Sequence, residues 1–266
     1  MELTTLPFLT SDLAKVGALQ PDGWPNILPH FEFYCKADFC FPLKFEREGK
    51  LVGVGAAIVH GKTAWLAHII VSVEHRNQGV GKIITQSLVD SLQNTECTTI
   101  LLLATKLGEP VYRKIGFSID SEYAFFNNGK PLPIATGQII PFDKKFENSV
   151  LFLDRKISGE NREKLLQPHL EKSHIIVENN NVVGCFFKTL GEGLILAENI
   201  EAGLTLLSQK HVFEINTILP VANVNGVNFL RQRGFQEFRR CTRMRLGKVL
   251  EWQPEKIYNR IGGNLG

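Results

Sequence analysis

An α/β chain that carries one fold twice is what this sequence predicts, and three observations predict it. Ala64 to Leu92 runs as an apolar strand into Arg76-Asn77-Gln78-Gly79-Val80-Gly81 and straight on into a helix. Leu101 to Ile119 gives a second apolar strand, a Gly-Glu-Pro helix start, one helix, and Gly116-Phe117 opening another strand. Finally, Asn223, Gly226, Phe229, Leu230, Gly234 and Phe235 fall at offsets 0, 3, 6, 7, 11 and 12. Those are the offsets of Thr105, Gly108, Val111, Tyr112, Gly116 and Phe117.

The remaining elements follow in chain order. Ser11 to Leu19 predicts a short capped helix and His30 to Cys40 another. Three strands come next, Phe41 to Arg47, Leu51 to His60 and Thr63 to Val73, with tight turns at Glu48-Gly49 and Gly61-Lys62. This is an α/β order with antiparallel strands first. The helix after the glycines carries Val80, Ile84, Leu88 and Leu92 at four-residue steps, one apolar stripe for a sheet. In the second half, Val182 to Phe187 matches Leu51 to Ala56, each strand preceded by an exposed turn. From Gly53 to Thr105 the first copy uses 52 residues, whereas Gly184 to Asn223 spans 39, so thirteen are missing. The shortfall lies at Leu194 to Leu207, which has strand-like residues but no Arg-x-x-Gly-x-Gly. Asn127 to Ser149, rich in Asn, Gly and Pro, is the expected connection.

Gly79 and Gly81 free the backbone of side-chain bulk, so successive N–H groups and the positive end of the helix dipole can close around a pyrophosphate. Neither G-x-G-x-x-G nor G-x-x-x-x-G-K-[ST] occurs there. What occurs is V-x-x-x-x-R-x-x-G-V-G, with Val71 and Arg76 in place, and it resembles the pyrophosphate loop of the GCN5-related N-acetyltransferase (GNAT) family. The segment Thr105 to Phe117 resembles the family's second signature, with Thr105 standing where an Asn is usual. The run A-T-x-x-G-x-P-V-Y-x-x-x-G-F looks like a bacterial subgroup that fuses a complete domain to a degenerate one.

That resemblance implies tandem GNAT-like domains, each a mixed, largely antiparallel twisted sheet flanked by helices. The expected boundaries are 1–127 for an acyl-CoA-binding N-acetyltransferase domain, 128–147 for a linker and 148–266 for a degenerate copy. It implies acetyl transfer from acetyl-CoA to an amine by direct attack within a ternary complex, on a small-molecule or protein acceptor. Ile69, Ile70 and Val71 would hydrogen-bond the pantetheine amides, and Asn77, Gln78, Gly79, Val80, Gly81 and Lys82 would hold the pyrophosphate. Arg76 and Lys82 add positive charge, and Thr105 takes the place of the pantetheine-contacting Asn. Tyr112 suits protonation of the departing thiolate, because a phenol keeps its proton at neutral pH. His68 is a candidate base. Strand alternation sets it on the face opposite Trp65, Ala67, Ile69 and Val71 unless a bulge shifts the phase, so a structural histidine or a water relay to a carboxylate are alternatives. The second copy lacks the glycine loop and has Leu230 in place of the tyrosine, which implies loss of cofactor binding and chemistry. A catalytically inactive acyl-CoA sensor is the other function class.

Composition narrows the partners. The five cysteines are odd in number and scattered, which points to reduced thiols, and no histidine has metal-ligand spacing. A net charge of +3 is too small to argue for nucleic acid. No apolar run approaches the roughly 18 residues of a membrane span, and the start of the chain has no basic leader, so a cytoplasmic protein is expected. Arg239, Arg240, Arg243 and Arg245 predict an edge strand with alternating outward charges, with a binding patch as the alternative. Trp24, Phe31, Phe33, Tyr34, Phe39 and Phe41 make the early segment aromatic, as pocket lining or as core.

Overall fold

The computed structural model describes residues 3–130 and 139–266, so part of the expected linker, 131–138, lies outside the described residues. The chain divides into two compact units. The first is Met1–Ile119, Met244–Lys248 and Gly263–Leu265, and the second is Asp120–Arg243, Val249–Gly262 and Gly266. Segments 244–248 and 263–265 thus pack with the first unit, whereas the repeat assigns all of 148–266 to the second.

The first unit begins with β1 (Thr4–Pro7), α1 (Leu13–Val16) between two 3-10 turns, and α2 (Leu28–Lys36). The second helix starts and stops earlier than expected. Pro29 seats well in its first turn, and Cys40 already opens the next strand. Then come β2 (Cys40–Arg47), β3 (Lys50–His60), β4 (Thr63–Val71), α3 (Val80–Ser91), β5 (Thr99–Ala104), α4 (Glu109–Ile115) and the start of β6 (Ser118–Asn127). The sheet runs β1-β2-β3-β4-β5, antiparallel up to β4 and parallel between β4 and β5. Val80, Ile84, Leu88 and Leu92 are all buried against it, each side chain stabilising the unit by about 1.5–3 kcal/mol. Gly53 and Gly55 let α3 come close. A Cβ on Gly53 would meet Ile84 Cδ1 at 2.6 Å, and one on Gly55 would meet Leu88 Cδ1 at 2.8 Å.

The second unit continues β6 and adds β7 (Ile139–Pro141), α5 (Glu147–Ser158), α6 (Glu163–Leu166), β8 (His174–Glu178) and β9 (Asn181–Phe187). After these come β10 (Leu194–Ala197), α7 (Ile200–His211), β11 (Thr217–Pro220), α8 (Val224–Gln232), β12 (Gln236–Gly247, its end in the first unit) and β13 (Ile257–Asn259). One sheet has the order β13-β10-β9-β8-β7, and β11 pairs antiparallel with Tyr123–Phe126 of β6. The strand-like stretch Leu194 to Leu207 is a short strand followed by a helix, because Asn199 caps α7 by accepting from the Ala202 N–H at 2.8 Å. The repeated signature is realised as β5–α4–β6 and again as β11–α8–β12.

One expectation needs correction. Arg243 does not face outward. It is 1% exposed, its guanidinium is 2.6 Å from Asp120 Oδ2, and it lies over the Trp252 ring. Nor is the end of β12 an edge, since Lys248 N–H donates to the Thr98 carbonyl and Thr99 Oγ1 to the Lys248 carbonyl.

Candidate active site

In the first unit eight residues, 72–79, connect β4 to α3. Asn77 (φ 60) and Gly79 (φ 80) take left-handed backbone conformations, which turn the chain so that its amides converge before the helix begins. The five N–H groups of Asn77 to Gly81 have no acceptor among the described residues, whereas those of Lys82 and Ile83 both reach the Gly79 carbonyl. Gln78 and Arg76 fold back to brace the loop. Gln78 Nε2 donates to the Glu74 carbonyl at 2.8 Å, and Arg76 Nε donates to the Val71 carbonyl at 3.3 Å. Neither Arg76 nor Lys82 has a carboxylate partner among the described residues. The result is a run of unpaired donors at a helix N-terminus with two uncompensated cations beside it, a cradle for an anion.

The neighbouring strand has an open edge. The ladder between β4 and β5 covers Thr63–Trp65 against Thr99–Leu101, yet β4 continues to Val71 and β5 to Ala104. The backbone of Ile69, Ile70 and Val71 is therefore unladdered on the β5 side, while Val71 and Ile70 pair with Gly53 and Val54 on the other. The register slips in between. Ala67 faces Ala56 and Ile70 faces Val54, so His68 and Ile69 together oppose Gly55. This is the bulge that the alternation argument left open. It gives His68 a φ of 47 and turns its ring toward α2, where it meets His30 at 4.7 Å, Tyr34 at 5.7 Å and Phe31 at 5.9 Å. Sequence spacing could not locate it, because a bulge is a property of the pairing between strands.

Tyr112 lies on α4 with its ring folded back over Gly108, where an added Cβ would be 2.8 Å from Cε2 and 3.1 Å from the hydroxyl. The phenol thus sits beside the start of its helix, near the end of β5. Burial pushes its pKa up to about 12, so the hydroxyl is protonated at neutral pH. Thr105 has a local job. Its Oγ1 accepts from the Gly108 N–H at 3.2 Å, and its carbonyl accepts from Glu109. Of the early aromatics, Phe31 and Tyr34 are core residues, while Trp24 and Phe41 are exposed.

The second unit fills the equivalent space with its own chain. Only Glu198 and Asn199 separate β10 from α7, so there is no loop to cradle a phosphate. Between β10 and β11 lies β13, paired to β10 at Ile195↔Asn259 and Leu196↔Ile257. On its other side Arg260 N–H donates to the Ile218 carbonyl at 2.9 Å, and Asn259 Oδ1 accepts from the Ile218 N–H at 2.9 Å. Asn223, the repeat partner of Thr105, caps α8 through Oδ1 and donates from Nδ2 to the Ile257 carbonyl at 2.9 Å.

A family profile described as the acetyltransferase (GNAT) family matches residues 13–117, the segment that holds the cradle and Tyr112. Over 108 residues the chain is 30% identical to the uncharacterized protein YyaT of Bacillus subtilis, covering 41% of this chain and 72% of that protein. The chain belongs to the GNAT family. Among solved structures it is similar to a putative acetyltransferase from Pyrococcus horikoshii, with a TM-score of 0.86, 18% identity, and coverage of 99% of this chain and 96% of that one. It is also similar to a tandem GNAT protein from the clavulanic acid biosynthesis pathway, with a TM-score of 0.61, 11% identity, and coverage of 92% and 98%. At these identities the structures speak to fold, and the fold is tandem GNAT. Among the described residues no group of three or more His, Cys, Asp or Glu could hold a metal ion. No described helix is long and apolar enough to cross a membrane.

Proposed function

We propose that the first unit of this GNAT protein transfers an acetyl group from acetyl-CoA to an amine of a small-molecule or protein acceptor, by direct attack with both substrates bound. The observation that carries the reading is the run of five unpaired amides at Asn77–Gly81 beside the open edge of Ile69–Val71. The amides, with Arg76 and Lys82, suit the pyrophosphate. The edge of β4 that β5 leaves unladdered suits the two amides of a pantetheine arm, added as if it were a short extra strand, with Arg76 moving from the Val71 carbonyl to the pyrophosphate. Acetyl-CoA supplies an activated thioester. The chain supplies orientation of that thioester and a proton for the departing sulfur, and Tyr112 is the group that holds one at neutral pH. Thr105 Oγ1 accepts from the Gly108 N–H, which leaves its hydroxyl hydrogen to offer the pantetheine arm where an Asn is usual. The replacement of the usual Asn by Thr105 is the feature that favours the alternative, an inactive acyl-CoA sensor. The second unit takes no part in binding acyl-CoA.

Titration calorimetry with acetyl-CoA tests this. One site per chain is expected. Gly81 offers the cleanest variant, because a Cβ there meets only Val71 Cγ2, at 3.7 Å, and its φ is ordinary. Gly81→Val therefore leaves the free protein folded, with an unchanged melting temperature, and weakens acetyl-CoA binding by about 100-fold through bulk placed among the amides. Unchanged affinity would remove the cradle from the reading, and binding of two acetyl-CoA molecules would refute the assignment of the second unit.

A further inference from the structure

Four polar side chains of the first unit, from α2, β4 and the segment Gly263–Leu265, form one hydrogen-bonded chain that the reading above leaves unused. Asn264 Nδ2 donates to the Tyr34 hydroxyl at 2.8 Å and lies 3.2 Å from His30 Nδ1. The Tyr34 hydroxyl is in turn 2.8 Å from His68 Nδ1. The Asn264 amide has two hydrogens to give, one to the Tyr34 oxygen and one to His30 Nδ1. The buried Tyr34 hydroxyl has His68 Nδ1 as the acceptor for its own hydrogen among the described residues. With Nδ1 an acceptor, the neutral His68 ring carries its hydrogen on Nε2. That nitrogen has no protein partner among the described residues. Burial, with a further contribution from His30, lowers the His68 pKa to about 3, and burial raises that of Tyr34, so neither of these two changes state near neutrality; burial also lowers the pKa of His30. Among the described residues the titratable groups packed against the ring are His30 and Tyr34. Its other neighbours are Phe31 and Trp24.

We propose that His68 is a neutral Nε2–H donor to an uncharged carbonyl oxygen next to the reacting amine, not the general base, and that Tyr34 and Asn264 are positioning residues that hold this tautomer. The bulge places the ring at the start of the free edge of Ile69–Val71, on the side of the strand that α2 covers. Among the described residues no lysine or arginine bonds to the cluster, so a carboxylate would bind there without a counter-charge, whereas an amide carbonyl needs none. The acceptor class is therefore an amine with an adjacent amide carbonyl, as in an α-amino amide or a peptide N-terminus. This substrate assignment rests on the acetyltransferase reading, but the tautomer does not.

Nitrogen-15 NMR of histidine-labelled protein reads the tautomer directly, with His68 assigned by its loss in His68→Gln. The expected spectrum is neutral Nε2–H from pH 5 to 8, relaxing to a mixture of tautomers in Tyr34→Phe and, should that variant fold poorly, in Asn264→Ala. An Nδ1–H spectrum, or titration between pH 6 and 7.5, would overturn the proposal. Turnover, followed by CoA release, is then compared on matched amines, phenylalaninamide against 2-phenylethylamine and alaninamide against ethylamine. His68→Gln should lower kcat/KM about 10-fold or more for the amides and less than 3-fold for the plain amines. An equal loss on both, with a pH-rate limb near 6.5 abolished, would make His68 the base. No turnover of any amine by the unsubstituted protein would overturn the acetyltransferase reading and the substrate assignment with it, leaving the tautomer to stand on its spectrum.

Discussion

The gap between β4 and β5 and the gap between β10 and β11 come from the same repeat and end up in opposite states. In the first unit the two strands pair for three residues and then run on unladdered, with eight residues of loop to carry the chain to α3. In the second, β13 lies in the gap and two residues suffice to reach α7. Residue identity at the repeated positions does not predict which gap is free. Asn223 is the residue type the family signature has at that place, and it bonds the chain's own Ile257 carbonyl. Thr105 departs from the signature and sits beside the open gap. What a polar side chain faces, and not its type, separates the open copy from the filled one.

The strongest test of this comparison empties the filled gap. Asn259 is 1% exposed, and its side chain accepts from the Ile218 N–H and donates to the carbonyls of Glu192 and Gly193 at 2.7 and 2.8 Å. Asn259→Ala strands buried backbone groups, each costing about 1–3 kcal/mol, so a loss of about 4 kcal/mol is expected in denaturant unfolding. Acetyl-CoA stoichiometry should remain one per chain, because no cradle exists before α7. A second site in this variant would break the comparison, since it would show that β13 alone had kept acyl-CoA out.

A smaller effect sharpens the comparison at the chemistry. Tyr112 and Leu230 share an offset in the repeat, and Leu230 is wholly buried. Tyr112→Phe keeps the packing over Gly108 and removes the acid. Turnover should fall about 100-fold, the scale for loss of one general acid, with acetyl-CoA affinity retained. Steady-state rates alongside calorimetry decide it, and unchanged turnover would return Tyr112 to a packing role.

Much of the fold was legible in the sequence, because local chemistry sets it. The four-residue stripe Val80–Leu92 did become the buried face of α3, and the shared offsets from Thr105 and Asn223 did become two strand–helix–strand units. The illegible features all involve partners distant in sequence. The bulge at His68 depends on how β3 pairs with β4, and β13 meets β10 some 60 residues away, as the Asn259–Glu192 bond shows with its separation of 67. Asn264 reaches Tyr34 across 230 positions. Alternation alone places Arg243 on a solvent face, whereas Asp120 and Trp252 converge on it. Spacing also predicted a glycine cradle without showing that its five amides lack acceptors, which is a statement about everything nearby.

The smallest expected effect asks whether the two units respond alike to acid. Each holds one histidine whose pKa burial lowers to about 3, His68 in the first and His211 in the second. His211 is sealed. It is fully buried, its Nε2 is 2.6 Å from Thr217 Oγ1, its ring stacks on Phe235 at 4.5 Å, and its Nδ1 has no acceptor for a second hydrogen. A folded-state pKa below the unfolded value of about 6.5 means that the unfolded chain takes up the proton first. Stability from this residue is therefore complete above pH 6.5 and declines as pH falls toward 3, by about 1.4 kcal/mol per pH unit. His211→Gln should flatten the denaturant-measured stability of the second unit between pH 6 and 4 by that slope. The same substitution at His68 should flatten that of the first. Identical slopes in His211→Gln and the unsubstituted protein would mean that the ring takes a proton in place, and the contrast between a sealed histidine in the filled unit and a reachable one in the open unit would lose its basis.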